Sequence, residues 1–202
     1  QAERVTFFYA NSLLNTKNYV LAAFKFEEFV KAYPMSQKVE EAAYLGAYCY
    51  YKQSPVHTLT QEKTQEAIEK LQQFINFYPY SEKLNDASDL VQELRIKLEE
   101  KAFQVAKQYN TIRDYKSAII VLNSFISDYP GTPFREDALY YLFDSSYKLA
   151  INSIPSLRLE RLEDAKKIYY ELLTDYPETS YLKEAEKKIL DIDKEITIFA
   201  GT

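Results

Sequence analysis

The stretch that decides the fold reads AIIVLNSFISDYPGT and covers residues 118–132. Its Ala118, Leu122 and Phe125 follow one another at spacings of four and three residues, which puts them on one face of a helix. Tyr129-Pro130 then ends the helix, because proline disfavours helical geometry in the residue before it. The hydroxyl of Thr132 is a natural N-cap for a following helix. The stretch therefore predicts a helix, a sharp stop and a second helix.

The same pattern occurs four times along the chain. Each copy has an alanine twelve residues before the proline, large apolar residues eight and five before it, a hydroxyl residue two after it, and an acid and an alanine seven and eight after it. The four prolines lie 45, 51 and 47 residues apart, at Pro34, Pro79, Pro130 and Pro177. A period of this length is the signature of a helical repeat array.

The apolar spacing along the whole chain predicts nine helices. They are expected near residues 2–15, 18–33, 36–53, 62–78, 81–110, 114–129, 134–151, 159–176 and 180–199. The alanine-to-proline spacing resembles the second helix of a tetratricopeptide repeat, so the predicted fold is an all-α, tetratricopeptide-like solenoid spanning residues 1–202. Four helix pairs are followed by a C-terminal capping helix, whose outer face is charged as solubility requires. Irregular inserts are expected at 53–63 and 151–161, and such inserts often form a binding face.

The composition excludes several classes of function. With only 3 Gly, 1 Cys and 1 His in 202 residues, the chain lacks the glycine-rich phosphate loops, nucleophile elbows and ligand clusters of common enzymes. His57 lies in a polar insert, and Cys49 is interpreted as a small buried hydrophobe. The formal net charge is −5 with no basic stripe, which argues against a nucleic-acid partner. We therefore predict no enzyme activity, no catalytic residue, no metal and no cofactor.

Two aromatic stripes are candidates for a peptide-binding groove. The third helix carries one stripe and the seventh helix the other, namely Tyr44, Tyr48 and Tyr51, and Tyr140, Phe143 and Tyr147. Tyrosine combines a large apolar face with a hydroxyl, a combination suited to recognition surfaces. One interpretation is that the stripes line a concave groove that holds an extended or aromatic-ended peptide. The other is that they pack between helices as core.

Arg158 and Arg161 in the second insert are candidates for docking a partner, because a guanidinium pairs well with a carboxylate. The alternative is that both are solvated or paired with local acids such as Glu160 and Glu163.

The sequence resembles the BamD family, the repeat lipoproteins of the bacterial outer-membrane β-barrel assembly machine. The phrases that carry the resemblance are the repeat from Tyr9-Ala10 to Tyr33-Pro34, residues 50–55 followed by 67–68, residues 94–99 before 101–103, residues 128–132 with 135–141, and residues 176–183. Together they span nearly the whole chain.

The resemblance implies a non-enzymatic scaffold held on the periplasmic face of the outer membrane. It implies that the C-terminal repeats, 80–202, dock to the POTRA region of a BamA-like barrel protein, and that Arg158 and Arg161 belong to this docking half. The N-terminal repeats, 1–79, would receive unfolded outer-membrane proteins, and other assembly-machine lipoproteins are expected partners. The resemblance implies membrane contact only through a lipid anchor. The family's lipid-bearing N-terminal cysteine is missing from this sequence, which is consistent with a truncated or processed chain.

A second function stays open on the sequence alone. The chain is also compatible with a general peptide- or chaperone-binding tetratricopeptide module of the cell envelope or cytosol. Modules that capture acidic C-termini rely on basic clamps, whereas the first helix offers Arg4, Phe7, Asn11 and Leu14 at the expected groove positions. That composition favours the scaffold modestly.

Overall fold

A computed structural model of the chain describes residues 1–200, with side chains through residue 199. Over this range it contains nine helices and no strand. They are α1 (Ala2–Asn15), α2 (Tyr19–Ala32), α3 (Val39–Gln53), α4 (Glu62–Phe77), α5 (Leu84–Thr111), α6 (Tyr115–Asp128), α7 (Arg135–Ile151), α8 (Pro155–Asp175) and α9 (Leu182–Ala200). Consecutive helices pack against each other as antiparallel repeat pairs, so the predicted all-α architecture is confirmed.

The Tyr-Pro pairs end the second helix of each repeat, as predicted. Tyr78, for example, is the C-cap of α4 with φ −126°, and its N–H donates to the carbonyl of Phe74. The hydroxyl that follows is not the N-cap itself. Ser81 Oγ instead accepts from the N–H of Lys83 at 3.0 Å inside the turn, and α5 begins one residue later. The hydroxyl thus shapes the turn that precedes the helix.

The same hydroxyls also link neighbouring repeats. Ser81 Oγ donates to Glu40 Oε1 at 2.5 Å, and Thr179 Oγ1 donates to Glu136 Oε1 at 2.6 Å. Both acids lie in the first turn of the first helix of the preceding repeat. Each bond therefore fixes the turn of one repeat against the start of another.

The chain divides into two compact units, with the boundary between Leu98 and Glu99 inside α5. In unit 1, two adjoining clusters form the core, around Phe26 and Phe29 in one and Leu71 and Leu94 in the other. Alanines at the repeat positions allow the helices to approach closely, and the large residues fill the space beside them.

Unit 2 is built in the same way. Its clusters centre on fully buried side chains of α6, α7 and α8, among them Leu122, Phe143 and Leu162. Ile189 and Ile192 add the inner face of α9. The functional division predicted between residues 79 and 80 stays a prediction.

The two predicted inserts differ in structure. Residues 54–61 lie outside any helix, and Gln61 closes this segment by donating to the carbonyls of Val56 and Leu59, both at 2.9 Å. The prediction of an irregular segment at 151–161 is wrong beyond Ile154, because α8 already begins at Pro155. Proline at the first helical position has its φ preset for a helix and needs no hydrogen-bond partner there.

Candidate functional sites in the two units

The three tyrosines of α3 form a stacked ladder. The ring centres of Tyr44 and Tyr48 are 6.3 Å apart at 25°, and those of Tyr48 and Tyr51 are 5.8 Å apart at 27°. All three side chains are half-buried. Lys52 Nζ lies 5.0 Å and 5.1 Å from the ring centres of Tyr48 and Tyr51, so a cation covers one end of the ladder. The ladder keeps partly accessible aromatic surface, as the groove interpretation requires.

The stripe on α7 is different, because two of its members lie in the core. Phe143 is fully buried and its ring packs against Tyr169 at 5.5 Å. Tyr140 is 4% exposed and stacks on Tyr181 at 3.8 Å and 7°. The expectation that these two residues line an open groove is therefore corrected, and the packing interpretation describes them. Tyr147 is half-buried and donates to Asp191 Oδ2 at 2.5 Å.

A buried polar cluster lies beside that stripe. Asp144 is nearly fully buried and is flanked by Lys188 Nζ at 2.8 Å and Lys148 Nζ at 2.6 Å. Burial opposes ionisation of Asp144, but hydrogen bonds from Lys148, Lys188 and Asn110 outweigh it and hold the pKa of this carboxyl below its ordinary value. Lys188 also donates to Tyr140 Oη at 2.8 Å. The cluster joins α5, α7 and α9 through ion pairs and hydrogen bonds.

Arg158 and Arg161 are both held by bonds within unit 2. Arg158 donates to the carbonyls of Ile151 and Ser153 at 3.1 and 3.2 Å and pairs with Glu195 at 3.4 Å. Arg161 donates to Ser153 Oγ at 2.5 Å. Neither sequence interpretation anticipated these bonds to the turn after α7. Their docking role stays a prediction, and docking through either guanidinium would require breaking these bonds.

Unit 1 contains an apolar pocket that sequence reasoning missed. Its volume is about 490 Å³, and its lining comes from α2, α3, α4 and the residue that follows α4. The lining residues are Phe26, Glu27, Val30, Lys31, Ala42, Ala43, Gly46, Ala47, Tyr50, Lys70, Gln73, Phe74, Phe77 and Tyr78. At Gly46 helix α3 approaches α2 closely, because a Cβ there would lie 3.2 Å from Phe26 Cβ. The small residues of α3 that line the pocket are the signal that could have indicated it, namely Ala42, Ala43, Gly46 and Ala47.

The polar groups of this pocket fall into two sets. Glu27 Oε1 accepts from Lys70 Nζ at 2.6 Å and from Tyr50 Oη at 3.0 Å. Burial opposes ionisation of Glu27, and these two hydrogen bonds nevertheless keep its pKa below the ordinary value. Lys31 is exposed and forms no ion pair within residues 1–200, and Phe77 beside it is 78% exposed. The pocket thus combines an apolar wall with one available cation.

The remaining candidates for chemistry are Cys49 and groups of metal-ligating side chains. Burial raises the pKa of the Cys49 thiol to about 12, so at neutral pH it is a protonated, inert side chain. Among residues 1–200, no three His, Cys, Asp or Glu side chains come together in a way that could hold a metal ion. No helix within that range is both long enough and apolar enough to cross a membrane.

Comparison with known proteins gives a family. The model of the family YfiO, described as outer membrane lipoprotein, matches residues 1–158 and 113–198. No curated protein matches the chain. Among solved structures, the chain is similar to the yeast histone chaperone Hif1, described as a scaffold protein recruiting protein complexes to core histones. That similarity has 13% identity and a TM-score of 0.33 over 98% of this chain and 95% of the other, and it supports no inference about this chain.

Proposed function

This chain belongs to the YfiO family of outer-membrane lipoproteins, the family of the BamD proteins that its sequence resembles, and from that premise we propose a function. We propose a non-enzymatic scaffold of the outer-membrane protein assembly machine, anchored by lipid on the periplasmic face. Its N-terminal repeats receive unfolded outer-membrane proteins, and its C-terminal repeats dock to the POTRA region of a BamA-like barrel protein.

The apolar pocket of unit 1 is the observation that carries the receiving role. A volume of about 490 Å³ accommodates a large aromatic side chain, and ligand sites of this kind pair apolar walls with a few polar groups. Lys31 supplies a cation beside that wall. A chain that ends in an aromatic residue brings both a ring for the pocket and a carboxylate for the lysine. The pocket therefore suits the C-terminal end of an unfolded chain.

The tyrosine ladder offers a second contact for the same substrate. Partly accessible rings of Tyr44, Tyr48 and Tyr51 present apolar faces and hydroxyls along one helix. Such rings bind extended peptides at low cost in conformational entropy, since tyrosine has few rotatable bonds. We assign the ladder to the body of the substrate chain and the pocket to its end.

The outer face of α9 is our candidate for docking. Lys183, Lys187 and Lys194 are exposed and form no ion pair within the described part of the chain. The last two also line a polar recess of about 420 Å³, together with Tyr147, Lys188 and the acids Glu184 and Asp191. Exposed lysines without an ion-pair partner steer and select an acidic partner surface. This face supports docking better than Arg158 and Arg161, which are already bonded internally.

A labelled peptide tests the receiving role. We would measure binding of a short peptide ending in phenylalanine, with either a free or an amidated C-terminus, by fluorescence polarisation. We expect the amidated form to bind more weakly, and Phe77→Ser and Lys31→Glu to weaken binding of the free-acid form. The matched controls Ile120→Ser and Lys116→Glu, at exposed positions of α6, should bind as wild type. Equal binding of all variants would overturn the pocket assignment.

Affinity purification tests the docking role. The native full-length protein would be used as bait in detergent-solubilised cell envelope, with partners identified by mass spectrometry. We expect recovery of a large barrel protein with POTRA domains, and its loss when Lys183, Lys187 and Lys194 are all replaced by glutamate. The control Lys116→Glu should retain it. Recovery of soluble chaperones without any barrel would contradict the scaffold and favour a general peptide-binding module.

A further inference from the structure

The first helix of the chain is apolar on two opposite faces, and only one of them is covered. Phe7 and Ala10 are buried against α2. On the other side Val5, Phe8 and Tyr9 are 67%, 57% and 49% exposed. At 100° per residue these three lie within about a third of the helix circumference, so they form one continuous stripe.

The three side chains of this stripe form one exposed apolar surface on α1. Helix α9 also exposes apolar side chains, since Leu190 and Ile198 are each 61% exposed, but these two lie eight residues apart along the helix. On α1 the exposed apolar side chains are contiguous, and contiguous exposed apolar surface marks an interaction site.

Arg4 adds a positive charge to this face. It is exposed, its guanidinium carbon lies 5.5 Å from the ring centre of Phe8, and it forms no ion pair within residues 1–200. Glu3, the one acid of α1, instead accepts a hydrogen bond from Ser36 Oγ. In a chain of net charge −5, the outer face of α1 is therefore apolar and positive.

We propose that this face, formed by Arg4, Val5, Phe8 and Tyr9, binds the surface of a bilayer that contains anionic lipid. Apolar side chains beside cations are the pattern of helices that lie in a membrane interface. Charge also selects this occupant over a second copy of the chain, because two copies of a positive face would repel each other. The contact goes beyond the proposed scaffold function and would add to the expected lipid anchor.

A tryptophan reporter tests the contact directly, because the chain contains no Trp. We would place one in the stripe as Phe8→Trp and, as a matched control, one on α6 as Ile120→Trp. On mixing the unlipidated protein with vesicles of phosphatidylcholine and phosphatidylglycerol, the emission of Phe8→Trp should shift to shorter wavelength. The control should not shift, and neither protein should shift with phosphatidylcholine alone. Identical responses from the two proteins would overturn the proposal.

Vesicle cosedimentation gives the second measurement. Phe8→Ser should lower the partition coefficient about tenfold, the loss expected for one large apolar side chain. Arg4→Glu should lower it about fivefold or more and reduce its salt dependence. Ile120→Ser and Lys116→Glu should sediment as wild type. Undiminished binding of Phe8→Ser would overturn the proposal. The proposal would also be overturned if the wild type self-associated, Phe8→Ser were monomeric and neither protein bound vesicles.

Discussion

Lys188 Nζ lies 2.8 Å from Asp144 Oδ1, which joins a lysine of α9 to a nearly fully buried carboxylate of α7. The same carboxylate accepts a hydrogen bond from Asn110 Nδ2 at 2.8 Å. A buried ion pair adds little net stability when complete, but removing one partner leaves an uncompensated charge in the interior. The packing of α9 against α7 therefore depends on this ion pair as well as on the apolar face of α9.

Replacing the lysine tests that dependence. Lys188→Met should lower the free energy of unfolding by about 2 kcal/mol, because Asp144 keeps Lys148 and Asn110 but loses one charged hydrogen-bond partner in a buried site. Urea unfolding followed by circular dichroism measures the loss. Lys187→Met, at the exposed neighbouring position without an ion pair in the described residues, should change stability by less than about 0.5 kcal/mol. Equal losses in the two variants would contradict the assignment.

The same cluster predicts how stability depends on pH. Burial of Asp144 is outweighed by its hydrogen bonds from Lys148, Lys188 and Asn110, so the pKa of this carboxyl is lower in the folded chain than in the unfolded one. A carboxyl of this kind stabilises the fold at neutral pH, and its contribution is lost as the pH falls through the folded pKa. We expect the free energy of unfolding to decrease below about pH 4.

Asp144→Asn should flatten that acid dependence, since the variant has no carboxyl to protonate. Urea titrations of both proteins from neutral to acid pH give the comparison. If the free energy of unfolding of the variant fell with pH as steeply as that of the wild type, other carboxyls would be the cause of the acid sensitivity.

The hydroxyl after each Tyr-Pro pair provides a third prediction. Ser81→Ala should lower the free energy of unfolding by about 1 kcal/mol, because Glu40 loses its hydrogen-bond donor and the turn loses the acceptor for the Lys83 N–H. Ser88→Ala is the control, since Ser88 only donates to the carbonyl of Leu84 on its own exposed helix surface. That variant should be nearly neutral in thermal unfolding. An equal loss of stability in Ser81→Ala and Ser88→Ala would contradict a role of Ser81 in linking repeats.

Cys49 gives a fourth prediction, on reactivity. Its thiol is fully buried, and burial raises its pKa to about 12, so almost no thiolate exists at neutral pH. We expect no reaction with an aromatic disulfide reagent in the native protein and one equivalent per chain in denaturant. Rapid modification of the native protein would show that unit 1 opens around α3 far more often than its packing implies.

The repeat architecture could be predicted because its signals are local. Proline acts on the residue before it, and the alanine-to-proline spacing sets one helix face, so α2, α4, α6 and α8 end where the sequence indicated. The start of α8 was missed because residues 151–161, which include Pro155, were predicted to form an irregular insert. At the first turn of a helix the same residue is favourable.

The candidate sites were harder to predict, because accessibility depends on neighbouring helices. Tyr48 on α3 and Phe143 on α7 belong to stripes that both have helical spacing, yet α8 covers Phe143 with Tyr169 and leaves no exposed surface. Spacing tells which residues share a face, not what lies opposite it. The bonds of Arg158 to the turn after α7 could not be foreseen without knowing that α8 begins at Pro155.

The last prediction concerns the two glycines within the described residues, which differ in their surroundings. A Cβ at Gly46 would lie 3.2 Å from Phe26 Cβ, whereas one at Gly131 would meet nothing within 4 Å. Gly46→Leu should therefore destabilise unit 1 by about 1–3 kcal/mol, because α2 and α3 must move apart. It should also weaken peptide binding to the pocket that Gly46 lines. Gly131→Ala should be neutral or stabilising by about 0.5 kcal/mol, since it restricts only the unfolded chain. Thermal unfolding and the polarisation assay measure both effects, and a Gly46→Leu protein of wild-type stability would contradict the close approach of the two helices.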